Sequence, residues 1–565
     1  MSKTPSPPGV QNRTQLRDSE IDSWWKTGVI YQIYPRSFQD RNKDGIGDIR
    51  GIEARMEYLK TLGVSAIWVS PFFKSPMKDF GYDVEDHRAI DPLFGSMEDF
   101  DSFIEKAHAH GIRVMIDLVL SHTADVHPWF AAARQSKNSE WDDCYVWADP
   151  KANGEPPNNW LSVFGGPSWT YEPQRGQYYL HNFLSSQPDL NFHSPRVQAE
   201  ALAIAKWWLD RGVDGFRLDT VNFYFHDQAL RDNPLAPHPD EQVVTADNPY
   251  SLQDHIHDKN QPQVCDFLSD LGTLLEEYPG AIALGEVGAI SDRARALMQQ
   301  YQQPGRLKLS YTFDLLSPKF SAAHFKAILN DDAEGAADVW RCLAFSNHDI
   351  RRTATRLNLT DGPTEPIASI AMGLLLSLRG TPCIYQGEEL GLTEADIPYE
   401  QLVDPYGIAF WPKFKGRDGC RTPMPWSDTA AQAGFTQGEA DPWLPIPAEH
   451  LPMAVNRQLQ DPESLFHQSK TLIGLHRETT AFHSERLELL DSSEDVLVFE
   501  RGDGESRVLC VFNLSSKDIT YTPPENWNCA TPLAKGTLAD TVFESGTWHL
   551  APWAWCWMTS QSKTG

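Results

Sequence analysis

Short apolar runs alternate with amphipathic stretches from residue 28 to about residue 390. The runs are GVIYQIYP (28–35), VSAIWVSP (64–71), RVMIDLVLSH (113–122), GVDGFRLD (212–219), AIALGEV (281–287), LSYTFD (309–314), CLAFSNHD (342–349) and PCIYQGEE (382–389). They are rich in β-branched and aromatic residues and carry few polar ones, the pattern of strands buried on both faces. Between them lie segments with helical periodicity, such as MEDFDSFIEKAHAHG (97–111) and SPRVQAEALAIAKWWLDRG (194–212). The second opens on Ser194 and Pro195, a cap and first-turn pair, and ends at Gly212. Eight strand–helix units predict an α/β fold, a (β/α)8 TIM barrel rather than an open sheet.

Two stretches interrupt the alternation. Residues 123–193 are rich in Trp, Pro, Gly and Asn and are too long for an ordinary loop, so an inserted small domain is expected there. Residues 390–440 form a second insertion after the eighth strand. From residue 479 the pattern becomes short alternating strands, which predicts a C-terminal antiparallel β-sandwich. The expected division is a flexible tail (1–24), barrel (25–122), inserted domain (123–193), barrel (194–478) and terminal β domain (479–565).

Composition narrows the class of ligand. The 565 residues carry a formal net charge of −28, which opposes binding to phosphate backbones and to anionic membrane surfaces. The longest apolar run, Ile367–Leu378, would span about 18 Å as a helix against a bilayer core of about 30 Å. The start has no apolar signal-peptide core, and the eight cysteines are scattered without a CxxC pair. A cytoplasmic protein, monomer or homodimer, with a small-molecule substrate is expected.

In such barrels chemistry sits where strands end. His122 follows strand three, Arg217 and Asp219 lie in strand four, Glu286 in strand five, and His348 and Asp349 follow strand seven. Any one of these alone reads as a buried structural residue; three carboxylates on one rim suit glycoside hydrolysis. Arg217 and Asp219 are two apart on one strand and so share a face, where the guanidinium is expected to keep Asp219 ionised. The apolar setting of Glu286 is expected to raise its pKa and keep it protonated.

LVLSH (118–122), GFRLDTVNF (215–223), LGEVG (284–288) and FSNHD (345–349) resemble the four signature regions of the α-amylase superfamily, glycoside hydrolase family 13. QPDLN (187–191), DRNKDGIGDIRGI (40–52) and GRDGCRTPMPW (416–426) resemble its α-glucosidase and oligo-1,6-glucosidase branch. The resemblance implies Asp219 as nucleophile, Glu286 as acid/base and Asp349 as the carboxylate that fixes the sugar hydroxyls. It implies a substrate set of Asp79, Tyr82, His122, Arg217 and His348, with Arg417 paired to Asp79 over the non-reducing end. Arg421, four residues on, is the competing partner. Phe164 and Phe183 are candidate pocket walls, with core packing the alternative. The resemblance further implies one structural Ca2+ or Mg2+ held by Asp40, Asn42, Asp44, the Ile46 carbonyl and Asp48. Oxygen ligands at alternate positions suit a hard cation, although the twelfth position is Gly51 rather than the Glu of an EF-hand.

In that branch, Val after the nucleophile goes with α-1,6 cleavage and Ala or Thr with other linkages. Thr220 therefore implies an exo-acting α-1,4-type α-glucosidase on maltose-sized substrates or sucrose, capable of glucosyl transfer. An oligo-1,6-glucosidase, and a sucrose isomerase or trehalose synthase, are the alternatives on the same scaffold. In this reading Asp219 and Glu286 face each other about 5–5.5 Å apart across a blind pocket. His226, His255 and His257 are expected at the surface, and the aromatics of WHLAPWAWCWM (548–558) in core packing.

Overall fold

The computed structural model describes residues 23–237, 244, 248–289, 291–335, 339–358, 362–504, 506–527, 530–536, 541–544 and 546–559. The eight apolar runs form eight parallel strands: β1 (Ile30–Ile33), β2 (Ala66–Val69), β3 (Arg113–Leu118), β4 (Gly215–Leu218), β5 (Ile282–Val287), β6 (Leu309–Thr312), β7 (Arg341–Leu343) and β8 (Thr381–Tyr385). Each pairs with its neighbours in sequence, and Ile30 opposite both Ala66 and Cys383 closes the barrel.

Alternation along each strand divides the core in two. Ile30, Ala66, Trp68, Met115, Ile282, Leu284, Leu309 and Cys383 pack together inside the barrel. Tyr31, Ile67, Val114, Ile116, Ala283 and Ile384 belong to the larger cluster under the helices. The inward parity that places Met115 and Leu284 also assigns Asp117 and Glu286 to the interior. Arg217 follows suit, its guanidinium 5.1 Å from the centre of the Trp68 ring.

The surrounding helices form where the periodicity predicts. In Met97–Ala109 the apolar face is Phe100, Phe103, Ile104 and Ala107, and Ser96 with Asp99 makes a reciprocal capping box. In Pro195–Asp210, Ser194 occupies the cap position without capping; its hydroxyl donates to Asp143 at 2.7 Å instead.

Residues between β3 and the helix at Pro195 carry a small antiparallel sheet of Trp147–Ala148, Trp169–Glu172 and Gln177–Leu180. Bridges His122–Asp189 and Tyr145–Leu190 bring the end of this segment back beside its start, so it rises from and returns to the β3 end of the barrel. At the C-terminus a five-stranded sheet and a three-stranded sheet enclose a core of Val498, Leu509, Trp548 and Leu550. The other face of the larger sheet, including Phe512, Trp555 and Trp557, packs on the barrel helices. Gly373 permits that docking, because a Cβ there would lie 2.8 Å from the Trp555 ring. Trp548, Trp555 and Trp557 are all buried, in line with the core reading of the final aromatic run.

Residues 1–22 of the expected tail lie outside the described residues, while Trp24, at its end, is buried in a short helix. The expectation of surface histidines fails for His226 and His255, which are buried, and His257 is half-buried. His255 packs within the long segment that follows β4, where its imidazole stacks 3.6 Å from the Tyr250 ring centre and bonds to Asp258 at 2.5 Å.

Candidate active site

Arg217 is the hub. Its Nη1 donates to Asp219 at 2.5 Å and to Asp117 at 2.8 Å, and its Nη2 lies 2.5 Å from Glu286. One buried guanidinium thus ties the carboxylates from the ends of β3, β4 and β5. Burial and these three carboxylates have opposite effects on Arg217, and the carboxylates win, holding it firmly cationic.

Arg217 favours the ionised form of Asp219, as expected, but the surroundings oppose it. Burial outweighs the guanidinium, Asp117 adds like charge, and the Asp219 pKa rises to about 7. Glu286 also rises to about 7, by burial first, against the pull of Arg217. Its second oxygen accepts the Thr220 backbone N–H at 3.0 Å. Asp349 is the most open of the three, about a third of its side chain being exposed. Burial works against its ionisation, but the guanidinium groups of Arg417 and Arg421 beside it bring it well below the usual carboxylate range.

Arg417, rather than Arg421, pairs with Asp79, at 2.9 Å. Arg417 also reaches Asp404 at 2.7 Å and Asp349 at 3.3 Å, whereas Arg421 holds Asp349 at 2.7 Å and the His348 carbonyl. Asp79 is buried and bound on its other oxygen by Gln187, so one end of the cavity is closed by a fixed ionic cluster. Tyr82 lies parallel to the His348 ring at 5.2 Å, and its hydroxyl meets His348 Nε2 at 2.6 Å and Asp117 at 3.0 Å. His122 meets the Tyr82 carbonyl at 2.9 Å. Burial lowers the pKa of His122 to about 4 and of His348 to about 3, so both are neutral near pH 7.

These groups line a cavity of about 260 Å3. Asp79, Tyr82, His122, Asp219, Thr220, Glu286, Asp349 and Arg417 face it, as do Phe164 and Phe183, which touch edge to face at 6.0 Å. Arg217 and His348 sit behind this lining and orient it. Thr220 holds a left-handed backbone conformation (φ 42°, ψ 47°) that a β-branched residue seldom adopts.

Sequence reasoning missed Asp117, Asp404, Gln187 and Gln32. Asp117 carried a signal, a carboxylate of inward parity inside the apolar run of β3. Gln32, which bonds His348 Nδ1 at 2.8 Å, carried the same signal inside β1, and Gln187 opens the QPDLN motif; Asp404 carried none.

The 40–48 loop lies apart from the cavity lining. Asp40 accepts the N–H groups of Lys43 and Gly45, Asp44 that of Ile46, and Asp48 those of Arg41, Asn42 and Gly51, all at 2.6–2.9 Å. Among the described residues no three His, Cys, Asp or Glu side chains converge as a metal cluster. The donor set still fits a hard cation in kind: it is all oxygen, and Asp40 and Asp48 are both buried with like charge between them.

A barrel with paired carboxylates at its strand ends is the architecture of a glycosidase. Residues 32–485 match the family described as alpha amylase, catalytic domain. The chain is 50% identical over 507 residues to a probable alpha-glucosidase of Rhizobium meliloti, covering 89% of this chain and 91% of that protein. It is 36% identical to an oligo-1,6-glucosidase of Heyndrickxia coagulans, covering 93% and 98%. The solved structure of an alpha-glucosyl transfer enzyme, XgtA, superposes with a TM-score of 0.91 at 48% identity, covering 95% of this chain and 99% of that one. The chain belongs to the α-amylase family, glycoside hydrolase family 13. Within it, this is an α-glucosidase-type glycoside hydrolase. Among the described residues no helix is long and apolar enough to cross a membrane.

Proposed function

We propose that the enzyme is a retaining, exo-acting α-glucosidase that removes terminal α-linked glucose from maltose-sized oligosaccharides or sucrose. The observation that carries this reading is the single guanidinium shared by Asp219 and Glu286 beside the Asp79–Arg417–Asp349 cluster. A cavity closed at one end admits a chain terminus and excludes the interior of a polymer. Asp219 attacks the anomeric carbon while Glu286 gives its proton to the departing oxygen, leaving a β-glucosyl ester on Asp219. Glu286, now ionised, takes a proton from water or another hydroxyl, which displaces Asp219 and restores the α configuration. Arg417 and Asp349 anchor the sugar hydroxyls, and neutral His122 and His348 donate or accept hydrogen bonds without adding charge. Thr220 supports a preference for α-1,4 over α-1,6 linkages. The likeness to a glucosyl transfer enzyme supports transfer beside hydrolysis.

Product analysis on maltose, isomaltose, sucrose and trehalose tests the reading. Glucose released first as the α-anomer, fastest from maltose or sucrose, is expected, with Asp219→Ala inactive. β-Glucose as first product, or an active Asp219→Ala enzyme, overturns it. Preferred attack on isomaltose would favour an oligo-1,6-glucosidase, and isomerised sucrose the isomerase.

We also propose that Asp40, Asn42, Asp44, the Ile46 carbonyl and Asp48 bind Ca2+ or Mg2+ as a structural ion. The support is the all-oxygen set and the two buried like charges. A cytoplasmic location is inferred from the seven described cysteines, all free.

A further inference from the structure

Lys259 has no part in the chemistry above, yet it lines the same cavity. It is only 4% exposed, and among the described residues its single hydrogen-bond acceptor is the Gly288 carbonyl at 3.3 Å. An ammonium has three N–H donors, so two are left for other partners. Its nearest companions are the faces of Phe223, at 4.6 Å, and Tyr250, at 5.3 Å. Among the described residues no carboxylate lies within 4 Å of it; neighbouring Asp258 spends an oxygen on His255 at 2.5 Å. Burial, set against the milder influence of Asp258, brings the Lys259 pKa down to about 8. A desolvated cation with one long, neutral acceptor is a costly arrangement unless something anionic meets it.

Its position says which end of the substrate it faces. Gly288 is two residues beyond Glu286, and its N–H donates to Asn222 at 3.1 Å. Asn222 in turn bonds Asn260, side chain to side chain at 2.7 Å and backbone to backbone at 2.7 Å. The Lys259 segment is thereby pinned to the loop after the nucleophile, on the side of the acid/base. That is the side of the departing and accepting oxygens, away from the Asp79–Arg417 cluster that would hold the glucose. The rings beside it are Phe223 and Tyr250, and Phe183 and Phe313 line the same cavity.

We propose that Lys259 is an anion-recognising group of the acceptor side, selecting aromatic alcohols that bear a carboxylate as glucosyl acceptors. This rests on the glucosidase reading and names the acceptor class for the same site. The acceptor hydroxyl attacks the anomeric carbon of the glucosyl ester, the bond to Asp219 breaks, and the hydroxyl proton passes to Glu286. The carboxylate at the far end of the ring takes the free donors of Lys259 in a charge-assisted bond, while the ring lies among the aromatic walls.

The test uses 4-(hydroxymethyl)benzoate and its methyl ester at equal concentrations with maltose as donor, in the full-length enzyme. The readout is the ratio of initial rates of the two transfer products, so a general loss of activity cancels. In the wild type the carboxylate is expected to win by about tenfold, Lys259→Met to reduce that ratio to near one, and Lys259→Arg to retain most of it. A wild-type ratio of one or less, a ratio unchanged in Lys259→Met, or no transfer to either acceptor overturns the proposal. Glucose release from maltose in the same tubes separates the two readings. If release proceeds without acceptor selectivity, only the role of Lys259 fails; if there is no release, the glucosidase reading fails.

Discussion

Thr220 donates its backbone N–H to Glu286 Oε2 at 3.0 Å from a left-handed backbone, φ 42° and ψ 47°. The same residue turns its hydroxyl toward Asp219 at 3.3 Å and Ser121 at 3.1 Å. A strained residue therefore touches both the nucleophile and the acid/base. Strain of this kind costs on the order of 1–3 kcal/mol and persists where the surroundings impose it. Thr220→Gly is expected to leave thermal stability unchanged or raise it, by up to about 1 kcal/mol, while kcat on maltose falls about tenfold as Asp219 loses the Thr220 hydroxyl. Thr220→Val keeps the strain and loses the hydroxyl. It is expected to lower kcat/KM on maltose more than on isomaltose, shifting the ratio by a factor of about ten. Melting curves and paired kinetics check both variants.

The pH profile follows from the shared guanidinium. The active form has Asp219 ionised and Glu286 protonated. Both groups are brought to about 7 by burial, so the pair holds one proton over a band centred near neutrality. As pH falls through that band the nucleophile is protonated and lost; as pH rises through it the acid is ionised and lost. A bell-shaped kcat/KM with its maximum near pH 7 is expected. Asp117 raises Asp219 by like charge, so Asp117→Asn is expected to move the acid limb down, on the order of one pH unit. An acid limb that stays put or moves up would show that Asp117 acts only by holding Arg217.

Much of this architecture was legible because apolar runs and strand parity are local properties. Eight runs predict eight strands, and the parity that sends Met115 and Leu284 inward also sends Asp117 and Glu286 there. The titration of Asp219 was not legible: sequence shows Arg217 two residues away but not how completely both are desolvated. Asp404 escaped because it lies in a long loop whose course is set by tertiary contacts. His226 and His255 were misplaced for a related reason, since the polar-looking segment after β4 packs these rings against Trp160, His193 and Tyr250.

Asp404 offers the sharpest test of the closed end of the cavity. It is fully buried and receives three donors from Arg417, the backbone N–H at 2.7 Å and two guanidinium nitrogens at 2.7–3.2 Å. Arg417 can reach Asp79 and Asp349 together only while it is so held. Asp404→Asn keeps the shape and removes the charge. It is expected to raise KM for maltose about tenfold with a smaller fall in kcat, because the loss is in anchoring the sugar rather than in the bond-breaking groups. Steady-state kinetics in which kcat falls and KM does not would contradict that assignment.

The 40–48 loop makes a prediction about stability instead of turnover. Asp40 and Asp48 are buried side by side, and burial with the Asp40 charge raises the Asp48 pKa, against the backbone N–H groups that lower it. A bound cation would offset that repulsion. At a hundredfold excess over its dissociation constant it would stabilise the fold by about 2.7 kcal/mol. Chelation is therefore expected to lower the melting temperature by a few degrees, Ca2+ or Mg2+ to restore it, and Asp48→Asn to abolish the response. The initial rate on maltose at 25 °C should change little, since the loop lies outside the cavity lining. A melting temperature indifferent to chelator and cation would leave the loop as a polar turn held by its own backbone.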